Sequence, residues 1–241
     1  MINPKLLKTG LVCLLITFSA SALIAQIIER KENYNNFNGI AVSSGIDLYL
    51  TQSANEQIVL SGTKDLIDRV KVSKGSDGLL KFEMEKRSGW FSWSWGEDSY
   101  VKAYVSFKTL NRLISSGGSD VYGKDQFKLN SLNIISSGGS GVKLDLIVNN
   151  LTLSTSGGSD VYLKGKASNF NLQASGGSDV NAFNLLADDV VAQMSGGSDC
   201  ELYTVKTISI NASGASDVTY KGPGIRKSIK SSGASDVQQV K

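Results

Sequence analysis

Residues 116–121 read Ser-Gly-Gly-Ser-Asp-Val, and the same hexapeptide returns at 156–161 and 175–180. Variants stand at 137–142 (SGGSGV), 195–200 (SGGSDC), 213–218 (SGASDV) and 232–237 (SGASDV). The first glycines are Gly117, Gly138, Gly157, Gly176, Gly196, Gly214 and Gly233, spaced by 21, 19, 19, 20, 18 and 19 residues. A nearly constant interval over seven copies is the mark of a repeat architecture.

Stacking the copies exposes their periodicity. Three residues before each motif serine stand Leu113, Ile134, Leu153, Leu172, Ala192, Ile210 and Ile229. Five before it stand Asn111, Leu132, Leu151, Phe170, Val190, Ile208 and Lys227. After the acidic position come Val121, Val142, Val161, Val180, Cys200, Val218 and Val237. Polar residues such as Thr152, Asn171 and Ser209 separate these columns. Alternation of this kind is a strand with one buried face, and the i, i+3, i+4 spacing of a helix is absent.

A unit of about 19 residues with two or three short strands and a glycine corner predicts an all-β fold, a right-handed parallel β-helix or β-solenoid. Its seven coils, stacked about 4.8 Å apart, would make a prism about 30–35 Å long. Alanine replaces only the second glycine of the pair, at Ala215 and Ala234. The first glycine is therefore expected to hold the demanding backbone conformation. Cys200 fills a valine slot and reads as a small buried hydrophobe. Lys227 in an apolar column, with Gln238 and Gln239 after Val237, predicts a polar end coil that keeps the array soluble.

The first 25 residues have a different purpose. Lys5 and Lys8 precede an apolar run from Leu11 to about Phe18, followed by Ala20-Ser21-Ala22 and Ala25 as small-residue cleavage sites. This predicts a secretory signal peptide at 1–25, too short in its apolar run for a transmembrane anchor. The expected mature chain, 26–241, has one cysteine and so no internal disulfide. The whole chain has 241 residues, 25 Lys+Arg against 22 Asp+Glu, and no histidine. No Ser-His-Asp triad, Cys-His pair or His-ligated zinc can be built from it. A net charge of +3 without a basic cluster gives no nucleic-acid footprint.

Residues 26–110 form a less regular β-rich part and 111–241 the repeat solenoid. In the former, Ser44-Gly45-Ile46-Asp47-Leu48 is a degenerate copy of the motif. Strands are expected at 56–61, 68–73, 78–85 and 99–107, with a short helical turn near 64–68, continuous with the solenoid and with wider coils. A hairpin tip at 88–98 carries Trp90, Phe91, Trp93 and Trp95, including all three tryptophans of the chain. Either these rings fold onto the solenoid or a homo-oligomer, or they form an exposed contact tip for a carbohydrate, lipid interface or protein.

The column Asp120, Asp160, Asp179, Asp199, Asp217 and Asp236, broken at Gly141, is the candidate for chemistry. Carboxylates about 5 Å apart repel by about 1–3 kcal/mol at intermediate dielectric. Two offsets are open. Each Asp can accept hydrogen bonds at its corner in an Asx-type turn, or the column can bind Ca²⁺. Ser119, Ser159, Ser178, Ser198, Ser216 and Ser235 are expected as a hydroxyl ladder beside it. Arg69, Arg87, Arg112 and Arg226 are too scattered for a polysaccharide-cleaving cluster.

The pattern Phe37-x-x-Ile40-x-Val42-x-x-Gly45-Ile46-Asp47-Leu48, together with the SGGSDV/SGASDV run, resembles the putative auto-transporter adhesin, head GIN domain family of exported Bacteroidota proteins. The resemblance covers about residues 35–240. It implies a β-helical fold and an exported location in the periplasm, at the outer membrane surface or outside the cell, and it offers no established catalytic residues to carry over. Repetition without one distinctive polar cluster predicts a non-enzymatic role in adhesion or scaffolding through an extended surface. Glycan or an envelope protein would be the partner. The chain ends four residues after Val237, so no translocator barrel is expected.

Overall fold

The computed structural model describes residues 26–85 and 101–241. The expected signal peptide and the tryptophan tip, with Trp90, Phe91, Trp93 and Trp95, lie outside the described residues.

The chain opens with β1 (Ile27–Glu32), β2 (Gly39–Val42), β3 (Ile46–Gln52) and β4 (Gln57–Thr63). A single turn, α1 (Lys64–Ile67), leads to β5 (Val70–Lys74) and β6 (Leu79–Met84). Then come β7 (Val101–Phe107), β8 (Arg112–Ser115), β9 (Val121–Ser137), β10 (Gly141–Ser156), β11 (Asp160–Ala174), β12 (Asp179–Met194) and β13 (Asp199–Ala212). Three short strands close the chain: β14 (Asp217–Lys221), β15 (Ile225–Ser231) and β16 (Asp236–Gln239). All of these strands belong to one sheet that coils on itself as a β-solenoid of about seven turns.

In the repeat region each coil pairs in parallel with the next, at the register the sequence columns predict. Val121, Val142, Val161, Val180, Cys200, Val218 and Val237 are successive partners. So are Leu113, Ile134, Leu153, Leu172, Ala192, Ile210 and Ile229. Apart from the end coil these side chains are buried and fill the interior as continuous columns. Each large aliphatic side chain so removed from water contributes about 1.5–3 kcal/mol. Cys200 is buried, as its valine slot requires, and burial pushes its thiol pKa up.

Each coil is expected to hold several short strands, but β9 to β13 are unbroken over 14 to 17 residues. The chain bends without losing its ladder. In β10 strict alternation breaks at Asn149 and Asn150, both exposed, and resumes at buried Leu151. Two consecutive outward residues turn a corner while backbone hydrogen bonding to the next coil continues.

The amino-terminal part joins the same sheet. β2 and β3 lie between other layers: β2 pairs with β6 on one side and β8 on the other. β3 likewise lies between β7 and β9. The chain thus lays down an inner coil, runs out through β4 and β5, returns as β6 and β7 on one side of that coil, and continues as β8 and β9 on its other side. Antiparallel pairing of β4 with β7, β1 with β4 and β5 with β6 closes this end. At the other end β15 is exposed throughout, the expected polar coil. The in-register partner of Ile208 is Arg226, however, not Lys227, because a bulge at Lys227 shifts the strand.

Candidate functional site: the acidic face and its notch

At each corner the first glycine carries positive φ, from 62° at Gly117 to 79° at Gly214. The reason is stacking as well as torsion. A Cβ on Gly196 would stand 2.9 Å from the Gly176 nitrogen and oxygen. The second glycine is left-handed only at Gly118 and Gly139 (74° and 73°), as is Gly45 at the degenerate corner, where Ser44 takes 67°. Gly158, Gly177 and Gly197 are not left-handed, which is why alanine can replace their equivalents later.

The motif serine and aspartate alternate as strand neighbours must, so they face opposite ways. Ser119, Ser140, Ser159, Ser178, Ser198 and Ser216 are buried. The Ser159, Ser178, Ser198 and Ser216 hydroxyls donate to the carbonyl three residues earlier at 2.8–2.9 Å. The hydroxyl ladder is therefore inside the corner, not beside the acidic column. The serines do the turn-closing expected of the aspartates.

The aspartates face solvent in register: Asp160, Asp179, Asp199, Asp217 and Asp236 are consecutive partners over five rungs. Asp179 has its pKa raised by partial burial and by Asp160 and Asp199 on either side. The column extends past Gly141 to Asp120 and Asp47, whose backbones are joined by the Leu48 N–H donating to the Asp120 carbonyl at 2.7 Å. Burial, and then the Asp120 charge, raises the Asp47 pKa. Asp236 accepts a hydrogen bond from the Val237 N–H at 2.9 Å. Asp120 is held differently from the rest, as described below. Among the described residues no group of three or more Cys, Asp or Glu side chains converges as a metal cluster. The carboxylates stand in single file.

A second outward column lies two residues further along each strand. It runs Tyr104, Tyr49, Tyr122, Lys143, Tyr162, Asn181 and Glu201. Tyr49 stacks on Tyr104 and Tyr122 with ring centroids 5.1 and 5.2 Å apart, and the Lys124 ammonium lies 4.4 Å from the Tyr49 centroid. The sequence reading missed this column. Its signal was there in Asp47-Leu48-Tyr49, Asp120-Val121-Tyr122 and Asp160-Val161-Tyr162.

Gly141, the one motif copy without an acid, breaks the surface. The Asp160 N–H donates to the Ser140 carbonyl and the Asp179 N–H to the Ser159 carbonyl, in the ordinary ladder. The Gly141 N–H instead donates to Asp120 Oδ1 at 2.8 Å. Asp120 Oδ2 accepts the Tyr122 hydroxyl at 3.0 Å. Burial, with that bond second, pushes the Tyr122 pKa up to about 12. What remains is a depression of about 280 Å³ bounded by Asp120, Tyr122, Gly141, Lys143, Asp160 and Tyr162.

The arginines considered for catalysis stay apart. Arg69 donates to the Glu85 carbonyl, Arg112 pairs with Asp77 at 3.5 Å, and Arg226 donates to Gln239 Oε1. Arg87 lies outside the described residues. No described helix is long and apolar enough to cross a membrane.

These features define a parallel β-solenoid whose faces carry in-register ladders of like side chains. The chain belongs to the family described as putative auto-transporter adhesin, head GIN domain, whose model matches residues 36–224. Among solved structures it is similar to a putative adhesin from Bacteroides fragilis, at 24% identity and TM-score 0.81 over 89% of this chain and 97% of that one. A putative lipid binding protein from Parabacteroides distasonis matches at 18% identity and TM-score 0.67, covering 90% and 98%. A putative adhesin from Parabacteroides merdae matches at 18% identity and TM-score 0.65, with the same coverage. At these identities the likeness is one of fold. No curated protein matches.

Proposed function

We propose that this is a non-catalytic, exported protein of the cell envelope or surface that works by adhesion or scaffolding through the extended face of its β-helix. The observation that carries the reading is repetition. Aspartate occupies the same outward position on five consecutive rungs, beside a second outward column with stacked tyrosines. Catalysis needs one asymmetric cluster, whereas a repeated face multiplies a weak contact along a partner. Family membership and the leader-like sequence at 1–25 support the exported setting.

The test is to express the full chain in a bacterium that lacks it, fractionate the cells, shave intact cells with protease, and count cells retained on a glycoprotein-coated surface. The reading expects the chain in the envelope or medium and retention above the vector control. A variant carrying Asp160→Asn, Asp179→Asn, Asp199→Asn and Asp217→Asn should fall towards the control with unchanged circular dichroism. Cytosolic retention, or retention no better than the control, contradicts the reading.

A further inference from the structure

We propose that the notch at Gly141 is a binding site for one uncharged pyranose ring of a glycan, held between Tyr122 and Tyr162. This deepens the adhesion reading and rests on it for its biological setting.

The geometry begins with what is missing. Every other motif copy places a carboxylate where Gly141 has none, and a Cβ there would meet Asp120 Oδ1 at 2.6 Å. The absent side chain opens the depression, whose volume of about 280 Å³ suits a single ring and not a drug-sized ligand. Its aromatic walls are spaced for a saturated ring. Tyr122 and Tyr162 are both partners of Lys143, so they stand two rungs apart, about 9.6 Å at the usual strand spacing. A ring in van der Waals contact with an aromatic face lies about 4–4.5 Å from it, so one ring fits between two faces two rungs apart. The stacked rings of Tyr104, Tyr49 and Tyr122 lead up to this gap, where Lys143 interrupts the aromatic column. Tyr122 is pinned by its bond to Asp120, while Tyr162 is 53% exposed and available for stacking.

Charge selects the ligand. Asp120 and Asp160 bound the depression, with Asp179 on the next rung, so an anionic sugar meets like charge. Lys143 occupies the rung between the two tyrosines and lines the depression, so a cation meets like charge as well. An uncharged polyol uses both kinds of group: its hydroxyls donate to the Asp160 carboxylate and accept from Lys143.

A glycan array carrying uncharged, sialylated, sulfated and uronic-acid oligosaccharides tests this with the mature protein. Uncharged glycans should bind, and acidic derivatives of the same cores should bind at least about tenfold more weakly. Gly141→Asp restores the motif of the other coils and closes the notch, and the Asp120 carboxylate it meets is the end of a flexible side chain. Tyr162→Ala changes only an exposed residue. Each should lower binding at least about tenfold, while Tyr162→Phe keeps the ring face and should stay within about threefold. If no uncharged glycan binds, if acidic ones bind better, or if Gly141→Asp and Tyr162→Ala both bind like wild type, the proposal is wrong. Cell retention by the wild-type chain without glycan binding would overturn the notch alone. Glycan binding without retention would overturn adhesion alone.

Discussion

One glycine of each pair bears the torsional demand, and substitutions should separate the two. Gly157 has φ of 73°, and its Cβ would lie 3.1 Å from the Gly138 nitrogen, so Gly157→Ala strains torsion and contact together. Gly158 is not left-handed and has open space where its Cβ would go. Gly157→Ala should cost about 1–3 kcal/mol, while Gly158→Ala should be neutral or stabilise by up to about 1 kcal/mol through the unfolded chain. Urea unfolding of the two variants checks this, and equal losses would refute the assignment. The sequence announced the asymmetry through Ala215 and Ala234. It could not show that Gly118 and Gly139 are also left-handed, because glycine stands at that position in every one of the first five motif copies. Nor could composition say that serine, and not aspartate, closes the turn. That follows from strand parity, which puts one of two adjacent polar residues inside.

The acidic column is an element whose members oppose one another, and its pH dependence has a definite sign. Asp179 has a raised pKa in the folded chain, so it binds its proton more tightly folded than unfolded. That contribution to stability is fully present below the ordinary value of 3.8 and is lost as pH rises through the raised value. At neutral pH the ionised group is therefore a small liability. Asp179→Asn should raise Tm at pH 7, by less in high salt, and the advantage should shrink as pH falls through the raised value and be gone below pH 3.8. Scanning calorimetry across pH decides it, and a lower Tm for Asp179→Asn at pH 7 would contradict the repulsion. Such a ladder persists against its own charge, which is consistent with its being kept for contact. The neighbouring tyrosine column was legible from three Asp-apolar-Tyr tripeptides. Its stacking was not, because Tyr104 enters from β7, outside the repeat.

Across the whole molecule, the repeat period dictated coil number, register and core, because every coil meets the same partner above and below. Legibility ended where the period ended. The inner coil of β2 and β3, flanked by strands later in sequence, depends on long-range pairing that no local pattern encodes. The notch was visible as a gap at Gly141, but its tyrosine walls needed the register. Everything proposed for the surface depends on that register, and proximity along the acidic column measures it directly. With Cys200 replaced by valine, pyrene labels on cysteines at 160 and 179 sit one rung apart, about 4.8 Å, whereas labels at 160 and 236 sit four rungs apart, about 19 Å. Strong excimer emission from the first pair and none from the second is the predicted result. Equal emission from both pairs, or none from the first, would contradict the stacked-coil account.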